Sequence, residues 1–167
     1  MDLFILRHAI AEDKGGFGSR PDSDRPLTEK GARKMRRVAK VLRKMGLSFD
    51  LILSSPFRRA KETAEIVADE FDCLDVLMLS SHLSVGGDPA LFIREINLEH
   101  KNAGSILLVG HEPYLSGLIS ILVSGQPDLS ITMKKGGICK LTVDKLSLKR
   151  CAILEWLMPP AQILGEE

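Results

Sequence analysis

Four short apolar runs, separated by stretches of helical length and periodicity, constrain this chain more than any other feature. Leu3–Leu6, Leu51–Leu53, Val76–Leu79 and Ile106–Val109 are too short for buried helices and are bounded by polar or turn-forming residues. They read as strands, the fourth being the most apolar. Between the first two, Thr28 is placed to cap a helix, with Glu29 in the first turn where the helix dipole favours an anion. Met35, Val38, Ala39, Leu42 and Met45 then fall on one helical face, and Gly46 ends the segment. The intervening Arg33, Lys34, Arg36, Arg37, Lys40, Arg43 and Lys44 read as its solvated face. The next helix buries Ala60, Ala64, Val67, Ala68 and Phe71. Asp88-Pro89 starts another, and Gly110-His111-Glu112-Pro113 leads into a helix over about Tyr114–Val123. Beyond it, Ile138–Val143 and Ala152–Leu157 read as two further strands around the polar turn Asp144–Ser147. Alternation of this kind predicts a single α/β domain over residues 1–167, with a mostly parallel sheet between helices on both faces.

Composition narrows the function. The 167 residues suffice for one core, and 23 basic against 22 acidic side chains leave a net charge of +1. That balance excludes a nucleic-acid protein working by bulk charge, so any anion chemistry needs a local cluster of cations. Arg7 stops the apolar run Leu3–Leu6 at once, and no other run is long enough to span a membrane. Neither nucleic acid nor membrane is expected as a partner. Cys73, Cys139 and Cys151 are odd in number and lack metal-ligand spacing; they read as buried free thiols in a reducing cytoplasm.

Open α/β sheets bind ligands outside the carboxyl ends of their strands. The residues there are Arg7-His8 after the first strand, Ser54-Ser55 with Arg58 and Arg59 after the second, and His111 after the fourth. Arg25, just before the first helix, can return to the same edge. Two of the four histidines thus meet several arginines, with no carboxylate cluster among them. Such a set suits a phosphoryl group, whose oxygens match the planar fork of a guanidinium. It does not suit a metal, because adjacent arginines repel a cation. A lone strand-end histidine is ordinarily only a hydrogen-bonded residue; two on one edge, each with an arginine neighbour, point to chemistry.

Four blocks then stand in order: Phe4-Ile5-Leu6-Arg7-His8-Ala9, Arg25-Pro26-Leu27-Thr28-Glu29-Lys30-Gly31, Ser54-Ser55-Pro56-Phe57-Arg58-Arg59-Ala60-Lys61-Glu62-Thr63 and Val109-Gly110-His111-Glu112-Pro113. Together they resemble the histidine phosphatase superfamily, which includes the cofactor-dependent phosphoglycerate mutases. The short length, the Arg-Pro-Leu-Thr block and the His-Glu-Pro turn look most like phosphohistidine phosphatases of the SixA type. The resemblance implies a three-layer phosphoglycerate mutase-like fold and a hydrolase with no metal and no cofactor. It implies His8 as a nucleophile that carries a transient phosphoryl group, with Arg7, Arg59 and His111 around the phosphoryl oxygens and Arg25 as a fourth contact. Arg59, directly before Ala60, matches the family position; Arg58 reads as a surface residue.

The chain departs from the pattern after the third strand. Many relatives have there a glutamate that protonates the leaving oxygen; this loop reads Ser80-Ser81-His82-Leu83-Ser84, and His82 is the candidate acid. Asp88 reads as a helix cap, Glu112 as part of a turn and His100 as an ordinary helical residue. Without a firm acid an alkyl phosphate is a hard substrate, because its alkoxide leaves poorly, whereas a phosphoramidate departs as a nitrogen base. The polar loop Ala11–Asp24, mobile through Gly15, Gly16 and Gly18, is too short for a lid, which favours a protein-borne substrate. The leading expectation is therefore a phosphohistidine phosphatase acting on a phosphohistidine-bearing protein. A phosphatase of small phosphorylated substrates and a catalytically silent phosphoprotein-binding module remain alternatives.

Overall fold

The computed structural model describes residues 1–15 and 20–166. Six strands form one mixed sheet: β1 (Asp2–Arg7), β2 (Leu51–Ser54), β3 (Leu77–Leu79), β4 (Ser105–Gly110), β5 (Ile138–Val143) and β6 (Ala152–Met158). Their spatial order is β3-β2-β4-β1-β5-β6. The first four are parallel, while β5 and β6 add as antiparallel neighbours beyond β1. The fold is thus the expected α/β layer structure, with two antiparallel strands on one side of the parallel set.

Five helices cover the sheet: α1 (Glu29–Lys44), α2 (Arg58–Glu70), α3 (Pro89–Glu99), α4 (Tyr114–Ser124) and the short α5 (Pro160–Leu164). Along β1 the side chains alternate between two cores, as the pleat requires. Leu3 and Ile5 join Phe92 and Ile96 of α3 and Leu118 and Leu122 of α4. Phe4 and Leu6 join Met35, Val38 and Leu42 of α1, Ala64 and Val67 of α2, and Ile163 of α5. Thr28 caps α1 by accepting the Gly31 N–H at 2.9 Å, a bond worth about 1 kcal/mol. Asp88 caps α3 by accepting the Ala90 N–H at 2.8 Å.

Some expectations need correction. α1 stops at Lys44 and Gly46 turns the chain at φ +82°, so Met45 lies outside the buried face and is 47% exposed. The third strand begins at Leu77, because Leu74–Val76 closes a 3-10 turn, and it forms a sheet edge with Met78 and Leu79 half exposed. His100 follows the end of α3. Of the three free cysteines only Cys139 is fully buried, while Cys73 and Cys151 are half-buried. Gly16 and Gly18, which carry the mobile-loop and short-lid expectations, lie outside the described residues. No helix among the described residues is long and apolar enough to cross a membrane.

Candidate active site

Strand order makes the site. Because β4 lies between β1 and β2, the residues that follow these three strands stand side by side at one edge. Arg7 is in register with Gly110, and Ser54 with Val109. The next residues are therefore His8, His111 and Ser55. The two imidazole centroids are 5.1 Å apart, and both rings are buried.

Each histidine is held by one nitrogen. His8 Nδ1 lies 2.7 Å from the Ala9 carbonyl, which only accepts, so Nδ1 carries the proton and Nε2 keeps its lone pair. That Nε2 accepts the Arg59 Nε–H at 3.3 Å. The supporting peptide is itself fixed: the Ala9 N–H donates to Thr63 Oγ1 at 3.0 Å, and the Thr63 hydroxyl donates to the Arg59 carbonyl at 2.6 Å. His111 Nε2 meets Ser55 Oγ at 2.8 Å. Ser55 Oγ also accepts the Phe57 N–H at 3.2 Å, which fixes the serine beside the His111 ring. His111 Nδ1 and Arg7 Nε are both buried and have no hydrogen-bond partner among the described residues.

Cations surround this pair. Arg59, on the first turn of α2, is 3% exposed and rests against the Phe57 ring, 5.3 Å from its centroid. Arg7, the last residue of β1, donates to the Met133 carbonyl at 2.7 Å. Arg25 is carried to the edge by a return segment in which Ala11 pairs with Leu27 and the Glu12 N–H donates to the Pro26 carbonyl. Gly31 belongs to the same device, because a Cβ there would lie 2.1 Å from the Ile10 carbonyl oxygen. Only glycine allows α1 to start so close to the chain leaving His8. Glu62 closes the assembly by accepting the Leu27 N–H at 2.7 Å and pairing outward with exposed Arg58.

The electrostatics follow from burial among these charges. Burial pushes His8 down to about 4; the Ala9 bond opposes that shift, and Arg59, Arg7 and Lys135 reinforce it. Burial and Arg59 push His111 down to about 3, against a smaller upward pull from Asp22. Both imidazoles are neutral at pH 7. His8 presents a lone pair with the His111 ring beside it, inside a ring of guanidiniums. Such an arrangement can accept a tetrahedral anion and offer it an uncharged nitrogen nucleophile.

Two members of this set escape sequence reasoning. Asp22, in a 3-10 turn at Asp22–Asp24, puts a carboxylate among the arginines: Oδ2 is 3.1 Å from Arg59 Nη2 and Oδ1 is 2.8 Å from Arg25 Nε. Its three-residue spacing from Arg25 was the available signal. Lys135 sits in a turn tied to the end of β1, where the Gly136 N–H donates to the Arg7 and His8 carbonyls. Gly136 has φ +75° there. Nothing in the sequence links that turn to residue 8.

His82 is elsewhere. It lines an open groove of about 430 Å³ with Leu79, Leu91, Arg94, Leu98 and Glu99. No hydrogen bond among the described residues joins it to His8 or His111. A larger groove, about 690 Å³ between α1 and α2, is lined by Arg36, Lys40, Glu62 and Asp69 and by neither site histidine. Among the described residues no three histidine, cysteine or carboxylate side chains gather as metal ligands.

The chain is similar to known proteins. The model of the histidine phosphatase superfamily (branch 1) matches residues 3–80. The chain is 34% identical over 148 residues to an uncharacterized protein of Picosynechococcus sp. (strain PCC 7002), covering 84% of each. It is 27% identical over 164 residues to the phosphohistidine phosphatase SixA of Escherichia coli (strain K12), covering 98% of this chain and 96% of that one. The solved structure of the protein histidine phosphatase SixA complexed with tungstate matches with a TM-score of 0.81 and 28% identity, over 98% of this chain and 99% of that one.

Proposed function

The chain belongs to the histidine phosphatase superfamily, and from that premise we propose that it hydrolyses phosphohistidine carried on a protein, with His8 as the nucleophile. Phosphatase chemistry comes with the superfamily and with the likeness to SixA. The observation that carries the finer reading is the state of His8: Nδ1 fixed on the Ala9 carbonyl, Nε2 unprotonated, and arginine nitrogens at hand.

In the first step the His8 Nε2 lone pair forms a bond to phosphorus while the phosphorus–nitrogen bond to the substrate imidazole breaks. The substrate ring, protonated on its other nitrogen, keeps the departing electron pair and leaves as neutral imidazole. Water then attacks the phosphoryl group on Nε2, releasing inorganic phosphate and returning the electron pair to His8. Arg7, Arg25, Arg59 and His111 contact the phosphoryl oxygens and stabilise their charge through both steps, in place of a metal. Burial is the main cause that disfavours a protonated His8 ring, and the cations Arg59, Arg7 and Lys135 that reinforce it would favour a phosphoryl dianion in the same position.

Support for phosphohistidine over an ester comes from the leaving group. Neither His82 in its outer groove nor Glu112, whose carboxylate accepts the Ser116 N–H at 3.0 Å, is hydrogen-bonded to the histidine pair. A substrate whose leaving nitrogen needs little protonation suits such a site better than an alkoxide does. The test is a comparison of kcat/KM on a phosphohistidine protein, an aryl phosphate and a panel of alkyl phosphates. The expected order is phosphohistidine first and alkyl phosphates last. An alkyl ester turned over fastest would instead make this a small-molecule phosphatase.

A further inference from the structure

We infer that Asp22 is a positioning residue, one carboxylate that anchors Arg59 and Arg25 as a single clamp while staying off the place the phosphoryl group takes. The inference rests on the reading of those two arginines as phosphoryl contacts, and its observations are the hydrogen bonds of one guanidinium. Arg59 meets Asp22 through its end-on pair of nitrogens: Nη1 donates to the Asp22 carbonyl at 2.8 Å and Nη2 to Oδ2 at 3.1 Å. The side-on edge carries Nε–H, which faces His8 Nε2. A planar guanidinium held at two nitrogens has no rotational freedom left, so Asp22 fixes which edge looks at the nucleophile. When Nε2 carries a phosphoryl group, the Nε–H and the second Nη2 hydrogen on that edge are both free to meet its oxygens. Asp22 remains behind the arginine and does not compete.

The other carboxylate oxygen does the same for Arg25. Oδ1 accepts the Arg25 Nε–H at 2.8 Å, and the Lys14 ammonium lies 3.6 Å from that oxygen. The Arg25 Nη1 donates to the Glu12 carbonyl, which sets the far end of its fork. Two guanidiniums this close repel, and Arg25 lowers the basicity of Arg59. A shared anion between them offsets that repulsion and sets their separation. Local sequence makes this possible: Pro21 precedes the 3-10 turn, and the Arg25 N–H closes it on the Asp22 carbonyl, so residues 22 and 25 share a face. Although burial pulls the Asp22 carboxyl up, Arg59 and Arg25 outweigh it and keep the group ionised at neutral pH.

The alternative role of a carboxylate among phosphate-binding arginines is an internal plug that mimics phosphate, and the two roles differ in sign. The experiment measures kcat, KM and inhibition by inorganic phosphate with p-nitrophenyl phosphate as probe. It uses Asp22→Asn and Asp22→Glu in the wild-type protein, Asp22→Asn again in an Arg59→Ala background, and thermal melting of every variant. Positioning predicts that Asp22→Asn lowers kcat about tenfold or more and weakens phosphate inhibition, and that Asp22→Glu retains more activity than Asp22→Asn. It also predicts that Asp22→Asn lowers kcat by a smaller factor in the Arg59→Ala background than in the wild type, because one of the two arginines through which it acts is gone. Tighter phosphate inhibition with kcat maintained in Asp22→Asn would make Asp22 a plug and overturn the inference. Equal losses in both backgrounds, or a loss that tracks melting temperature, would overturn it as well. A wild-type protein without turnover on any phosphoryl probe would overturn the phosphatase reading first and this inference with it.

Discussion

Two loops leave parallel strands at the same edge of the sheet, β1 near its middle and β3 at its end, and they are built in opposite ways. After β1, His8 is 6% exposed, each of its ring nitrogens has an identified partner, and three cations lower its basicity. After β3, His82 lies in an open groove beside half-exposed Leu79 and Leu91. The difference shows where this fold invests its order. Buried histidines and cations from several elements gather at the β1 end, whereas the groove after β3 is open and loosely furnished. On the proposed function, such a site would be strong on the phosphoryl group and weak on the leaving group, and would select substrates whose leaving group departs unaided.

The sharpest way to break that contrast is His8→Ala. Turnover is expected to fall by about 10⁴-fold or more, with melting still cooperative, since the proposed nucleophile is removed. Substantial residual turnover would move the chemistry away from the β1 loop.

Next comes the pair of adjacent arginines. Arg59→Ala should cost about 10²-fold or more in kcat/KM, because a buried guanidinium facing the nucleophile is lost. Arg58→Ala should cost less than about twofold, since that side chain pairs outward with Glu62 and is half exposed. Equal losses would mean that the start of α2 is placed one residue wrong.

The third test is titration. His8 is held at about 4 and His111 at about 3, so both stay neutral until pH approaches those values, while in the unfolded chain each protonates near 6.5. Below pH 6.5 the unfolded state therefore binds more protons than the folded one. Stability present at pH 7 is lost as pH falls toward 4. Imidazole NMR should show no protonation of His8 at pH 5.5, and the melting temperature should decline between pH 6.5 and 4. A His8 midpoint near 6.5 would contradict the described burial and charge.

The smallest effect belongs to the β3 loop. His82→Ala should change phosphohistidine hydrolysis only a few-fold, well short of the 10²- to 10⁴-fold (roughly) that general acid catalysis typically supplies. A loss of that size on an ester would identify His82 as the acid and erase the contrast between the loops. Exhaustive chelation is expected to change nothing, since the proposed mechanism gives charge stabilisation to the arginines. Loss on chelation with recovery on a divalent ion would refute that.

The sequence made legible what local rules determine. Thr28 and Asp88 cap the helices they were expected to cap, and β5 has the residues read for it. His8, Arg59 and His111 could be placed on one edge because the residue after a parallel strand has nowhere else to go. What local rules do not determine was hidden. The insertion of β4 between β1 and β2, which brings the histidine rings to 5.1 Å, is a long-range pairing. Asp22 looked like one more polar residue in a loop, since its meaning depends on Arg59 arriving from α2, 37 residues later. Lys135 reaches His8 only through a turn bonded to the end of β1. Met45 matched the apolar period of α1 and was still exposed, because the helix ended one residue earlier.

The most direct measurement is to mix the protein briefly with a phosphohistidine protein labelled on phosphorus, quench in alkali to preserve phosphoramidates, and map the label. The account predicts a label on His8, attached at Nε2, that is lost in His8→Ala and accumulates when hydrolysis of the intermediate is slowed. Label on another residue, or full turnover with no labelled intermediate at any quench time, would contradict it.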